Sequence, residues 1–206
     1  MNHSKKDFLP AAHYHALTPF YGHFMTVFFK RHYSKLAQLI QLKPGERLLD
    51  VGCGPGNLLQ LIQKKHPKNK LVGLDVDPDS LKIAQKNLPQ TTFHESSAIK
   101  IPEPDASFNV VTSTLMFHHL KTDEKKQMLK EVYRVLKPGG QFYLFDFCKP
   151  TSWFGRFFVK LFREVENMDE ALEGKYKVYL QEAGFTSLQS GYRAYGVIEL
   201  LTAIKS

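Results

Sequence analysis

The chain has 206 residues, 43% of them hydrophobic and 23% charged, with no repeat or low-complexity tract, and reads as one soluble globular domain with appendages. Its net charge is +8, and residues 1–47 hold seven Lys/Arg against two Asp/Glu, a bias toward anionic partners that does not choose between nucleic acid and phospholipid. Two cysteines are too few for a disulfide framework or a zinc cage, no metal site is expected, and neither a bilayer-spanning run nor a signal-peptide core is present, so the expected location is cytoplasmic, with peripheral membrane contact open.

In chain order, residues 1–42 are rich in His and aromatics and read as a helical cap, in which Phe20, Phe24, Val27, Phe28 and Phe29 run into Lys30 and Arg31. Residues 43–147 form the expected core. There RLLDV, KLVGLDV, TTFHE, FNVVTST and QFYLFDF read as strands, being short runs of β-branched, Leu and aromatic residues bounded by turn chemistry. Helices are predicted between them: LLQLIQKKH after Asn57, DPDSLKIAQKNL with Asp77 as N-cap and Pro78 in the first turn, and DEKKQMLKEVYRVL. Such alternation predicts a parallel sheet covered by helices on both faces.

Residues 148–168 read as a lid helix. TSWFGRFFVKLFREV places Trp153, Phe154, Phe157, Phe158, Leu161, Phe162 and Val165 on one face, with Arg156, Lys160 and Arg163 toward the other. Two readings stand: a helix packed across the mouth of a site, or a lid that touches lipid or an apolar substrate. Residues 169–206 read as a helix and then a β-hairpin turning at Tyr195–Gly196, an antiparallel pair at one sheet edge.

The stretch DVGCGPGN, residues 50–57, is a glycine-rich turn from first strand to first helix, where bare backbone and free helical N–H groups can approach a ligand. The spacing from Gly52 to Gly54 to Gly56 is G-x-G-x-G, with Asn57 where a dinucleotide fingerprint needs its third glycine. No Lys-Ser/Thr pair follows, which excludes a triphosphate loop. Asp50 would repel a pyrophosphate and attract an ammonium, while Asp75, nineteen residues after Gly56 and closing KLVGLDV, can accept both hydroxyls of a ribose. The pocket therefore asks for a ribose and an amine without a pyrophosphate.

LLDVGCGPGNLL, VGLDVDPDSL, IPEPDASFNVVTSTLMFHHL and EVYRVLKPGGQFYLFDF, in that order and spacing, resemble the class I S-adenosylmethionine-dependent methyltransferases, in the branch similar to ubiquinone/menaquinone-biosynthesis methyltransferases. The resemblance implies an α/β, Rossmann-like, seven-stranded mixed sheet of order 3-2-1-4-5-7-6 with strand 7 antiparallel. It also implies S-adenosyl-L-methionine as cofactor and S-adenosyl-L-homocysteine as product. Carried over, Asp50, Gly52, Cys53, Gly54 and Gly56 line its methionine and ribose, Asp75 the ribose hydroxyls, Val76 the adenine face, and Thr114 the methionine. Upstream, TPFYG looks like the family's Ala-Pro-x-Tyr-Asp, which implies that Tyr21 closes over the methionine end, although Gly22 replaces the acid. A family Gly-Asp-Ala falls on Ser96, Ser97 and Ala98; a Ser97 hydroxyl can still accept from the adenine amine, more weakly than a carboxylate. In the implied sheet order Cys53 and Cys148 follow strands two positions apart, about 9.6 Å, beyond the roughly 7 Å a disulfide tolerates, so free thiols are expected.

His118 and His119 follow the fourth strand, where a transferred methyl would emerge, and with Tyr21 are the candidate general bases; packing of the loop is the competing role for the histidines. The expected acceptor is small and apolar or lipid-like. An RNA acceptor, permitted by the charge, lacks support because LMFHHL stands where a Pro-Pro-Tyr-type motif belongs, so nucleic acid is not the expected partner. A noncatalytic cofactor-binding module is the remaining alternative.

Overall fold

The computed structural model describes residues 18–162 and 168–206; of these, residues 18–28, 158, 161 and 162 are described by backbone alone. The sheet is built from β1 (Arg47–Val51), β2 (Lys70–Asp75), β3 (Thr92–Glu95), β4 (Phe108–Thr114), β5 (Leu136–Phe147), β6 (Phe185–Ala194) and β7 (Ile198–Lys205). Their order is β3-β2-β1-β4-β5-β7-β6, with β7 antiparallel to both neighbours and the others parallel, as expected from the sequence. The central strands carry continuous apolar runs because helices cover both of their faces: Leu48, Leu49, Phe108, Val111, Phe142 and Leu144 are fully buried. Edge strand β6 is instead mostly exposed and polar, with two register shifts that blunt it.

Strand β5 begins earlier than QFYLFDF. Leu136 pairs with Phe108, and the register then jumps to Val110↔Gln141, so that Lys137–Gly140 bulges out of the ladder. The Pro-Gly-Gly that reads as a loop is absorbed as this irregularity.

Helix α1 (Thr18–Leu39) packs on α2 (Asn57–Lys65), and Lys65 Nζ donates to the carbonyls of Ala37, Gln38 and Ile40, closing the carboxyl end of α1. Helix α3 (Pro78–Asn87) starts where expected: the Asp77 side chain accepts from the N–H groups of Asp79 and Ser80. Helix α4 (Thr122–Val135) covers β5. The single helix expected near the carboxyl terminus is two, α6 (Asp169–Leu172) and α7 (Lys175–Glu182), separated at Gly174, whose φ of 75° ends the first. The buried Lys125 of α4 holds Glu170 of α6 at 2.6 Å, and Thr122 and Tyr179 donate to the same carboxylate, which is held down at about 2 against the cost of its burial.

Helix α5 (Trp153–Phe162) forms within the stretch expected to be helical. It is seated on the β6–β7 turn: Thr151 N–H donates to the Gly196 carbonyl, Ser152 Oγ donates to that of Tyr195, and a Cβ on Gly155 would lie 2.9 Å from Gly196 O. Gly155 is thus the buried contact, while Trp153, Phe157 and Phe154 are 76%, 60% and 41% exposed. These three rings of the stripe face outward; the side chains of Phe158, Leu161 and Phe162, and Arg163 and Val165 altogether, lie outside the described residues. Among the described residues no helix is long and apolar enough to cross a membrane.

Candidate active site

The glycine loop is pinned to the end of β2. Gly52 and Cys53 N–H groups donate to Leu74 O at 2.7 and 3.0 Å, and Gly54 N–H donates to Asp75 Oδ2 at 2.7 Å. Asp75 Oδ1 accepts from Asp77 N–H at 3.0 Å, so backbone bonds from both sides fix its carboxylate. Gly52 and Gly54 lack side chains for different reasons. With φ of 74°, a Cβ at Gly52 would sit 2.4 Å from Met116 Cγ; with φ of 50°, one at Gly54 meets nothing of the protein within 4 Å. The space over Gly54 is therefore open for a ligand. Gly56 packs close to Ala84 and Leu88, and buried Cys53 lies against Gly73, where its thiol is pushed up first by burial and then by Asp50.

A cavity of about 190 Å³ opens at the carboxyl ends of β1 and β4, with Tyr33, Asp50, Gly52, Gly54, Thr114 and Leu115 among its lining. Asp50 is 2% exposed and accepts from Thr112 Oγ1 at 2.7 Å, its partner in strand register. Burial drives its carboxyl up to about 7; the Thr112 hydroxyl opposes this and the Asp75 charge adds to it. Tyr33 of α1 is driven up to about 12, by burial first and by Asp50 second. Val76, next to Asp75, presents an exposed apolar side chain. Ser96 N–H donates to Asp75 O and brings the next loop alongside, where half-buried Ser97 takes a long 3.4 Å bond from Ile99 N–H and Ala98 is buried.

Beyond Thr114 the chain enters the left-handed region at Leu115, φ 53°, a conformation that strains a non-glycine residue. The following 3-10 turn, Phe117–His119, is anchored by Asp146 of β5. Asp146 Oδ2 accepts from the N–H groups of Phe117 and His118, and Oδ1 lies 2.8 Å from His118 Nδ1 and accepts from Phe147 N–H. Burial opposes the Asp146 charge, but His118 and these donors hold the carboxyl below its ordinary value. His118 is buried, and its neighbour His119 is exposed, with ring centroids 3.9 Å apart. Tyr21 lies on the backbone of α1, but its side chain falls outside the described residues. Both cysteines are buried free thiols, as expected.

Thus Asp50, Gly52, Cys53, Gly54 and Thr114 meet at one cavity, with Asp75 bonded to its loop, whereas the two histidines part company. Sequence reasoning missed Tyr33, Thr112, Leu115 and Asp146. Asp146 carried a signal, an acid between two phenylalanines, whereas Thr112 is one of three hydroxyl residues in its strand and nothing in the sequence singles it out.

A family model described as a methyltransferase domain matches residues 48–140. An uncharacterized methyltransferase of Synechocystis is 29% identical over 80% of this chain and 78% of its own length. The demethylmenaquinone methyltransferase of Listeria welshimeri is 28% identical over 72% of this chain and 74% of its own. Together with the sheet order, these matches support a class I S-adenosylmethionine-dependent methyltransferase. A solved apo structure of the S-adenosylmethionine-dependent methyltransferase SibL superposes on 92% of this methyltransferase and 59% of that chain with a TM-score of 0.74, at 18% identity, a likeness that speaks for the fold.

Proposed function

We propose that these residues form one methyltransferase domain, comprising cap, core, lid helix and terminal hairpin, that moves a methyl group to a small apolar or lipid-like acceptor. The reading is carried by the cavity at the ends of β1 and β4, polar at Asp50 and apolar at Leu115 and Leu58. The relative named for demethylmenaquinone points the same way.

The residues present fit the cofactor: the bare surface at Gly54 leaves room for it, and Asp75 is already aimed by two backbone donors. Asp75 would accept the ribose hydroxyls, Val76 would flank the adenine, and Ser97 and Ala98 would border its amino edge. Asp50 would face the amino group of the methionine portion, with Gly52, Cys53, Gly56 and Thr114 completing the walls and Tyr21 closing above. S-adenosylmethionine supplies, when bound, a sulfonium methyl open to in-line displacement. The protein's part is to hold both reactants in line and to exclude water, which is sufficient for large acceleration without a triad. If the acceptor must lose a proton, the exposed His119 would take it, while buried His118, bonded to Asp146, would fix the turn that carries His119.

Calorimetry with S-adenosylmethionine, followed by transfer of labelled methyl to quinone precursors, extracted lipids and RNA, tests this. Saturable binding and label in the quinone or lipid fraction are expected. Label in RNA alone would overturn the acceptor assignment, and absence of saturable binding would overturn the cofactor site.

A further inference from the structure

Two surfaces left over from the site meet at one residue. On α1, Lys30, Arg31 and Lys35 are exposed beside buried Phe29; on α5, Trp153, Phe154 and Phe157 are exposed beside Arg156 and Lys160. Tyr195 joins them, with its ring 6.2 Å from Phe29 and 6.3 Å from Phe154, and with the Arg31 charge acting on it. The two contributing stretches, residues 29–39 and 148–162, hold six Lys/Arg and no Asp or Glu. A packed helix would turn its aromatics inward; α5 instead rests on Gly155 and leaves Trp153, Phe154 and Phe157 in water, an unfavourable arrangement unless something apolar receives them.

We propose that this joined face docks on an anionic phospholipid surface, with Trp153, Phe154 and Phe157 entering the headgroup boundary and the six cations lying over the phosphates. Charge complementarity selects the occupant. Exposed aromatics ringed by cations without acids match an anionic bilayer, where each Lys or Arg contributes and the aromatic rings take the interfacial layer. An acidic protein would satisfy the cations but not three protruding rings in a row. Docking goes beyond the proposed reaction and needs no turnover, so its failure and that of the acceptor assignment are read separately.

Trp153 is the only tryptophan in the chain, so its emission reports this face alone. The full chain is mixed with vesicles of phosphatidylcholine, or of phosphatidylcholine with phosphatidylglycerol, and followed by sedimentation and fluorescence. Sedimentation with the anionic vesicles only, a blue shift of emission, and release by salt are expected. Lys30→Glu with Lys35→Glu lowers the partition coefficient about tenfold or more at low salt. Trp153→Ser with Phe157→Ser lowers sedimentation while the circular-dichroism melt is unchanged. The proposal is overturned if low-salt anionic vesicles leave emission and sedimentation unaltered, or if the two vesicle types bind alike regardless of salt. It is equally overturned if the emission shifts with protein concentration but not with vesicles, which would make the face a contact between two copies.

Discussion

Asp50 and Asp146 end neighbouring parts of the same sheet, both are buried, and they lie in opposite electrostatic states. Asp146 accepts from three backbone N–H groups and is bonded to the His118 ring, and is held below the ordinary carboxylate value. Asp50 has a threonine hydroxyl and a second acid nearby, and is driven up to about 7. One buried acid is satisfied within the protein and the other is short of positive charge, which is the state the proposed role of Asp50, facing a cationic group of the cofactor, calls for.

The severest way to break this contrast is Asp146→Ala. It removes the carboxylate that the His118 ring and three backbone N–H groups share and should cost about 3–5 kcal/mol in chemical denaturation, as for other broken buried pairs. A loss within experimental noise would make Asp146 no anchor at all. Next in size, Asp75→Ala should weaken S-adenosylmethionine binding by about 1.5–3 kcal/mol in calorimetry, the range for charge-assisted hydrogen bonds; unchanged affinity would mean that the ribose lies elsewhere.

The two acids should also give opposite pH signatures. The Asp50 carboxyl is raised, so its contribution to ligand-free stability is full below its ordinary 3.8 and is lost as pH rises through about 7. The Asp146 carboxyl is lowered, so its contribution is full above its ordinary value and is lost as pH falls through the folded one. Denaturation of Asp50→Asn across this range should flatten the neutral-pH decline and leave the acid limb, and cofactor should bind the parent protein better as pH rises through 7. An unaltered neutral limb in Asp50→Asn would remove the contrast. The smallest effect belongs to Gly54→Ala. Its left-handed φ costs about 1 kcal/mol of stability, and the methyl enters space empty of protein, so thermal stability should fall little while cofactor affinity falls more. Equal losses in both would place no ligand over Gly54.

The strands and the first helices were legible because each follows from local chemistry: apolar runs for buried parallel strands, and Asp77–Pro78 for a helix start. The sheet order came from the resemblance of motifs to a known family and not from periodicity. What escaped notice depends on contacts distant in sequence. Tyr33 matters only because α1 crosses the end of β1, and Asp146 only because the turn after β4 reaches it. The direction of the exposed α5 rings could not be read because the helix is seated through Gly155, which has no side chain to mark a contact, on the backbone of Gly196, forty-one residues further on. His118 and His119 look equivalent in sequence, and a one-residue step round the turn buries one and exposes the other.

That seat has a mechanical consequence. The donor half of the reaction is anchored in β1, β2 and their loops, whereas α5 is carried by the hairpin tip through bonds from Thr151 and Ser152. Lengthening or re-angling the tip would shift α5 while the glycine loop stays in place. The fold is thereby divisible: the seat of α5 and the glycine loop rest on different strands, so one can move while the other keeps its bonds.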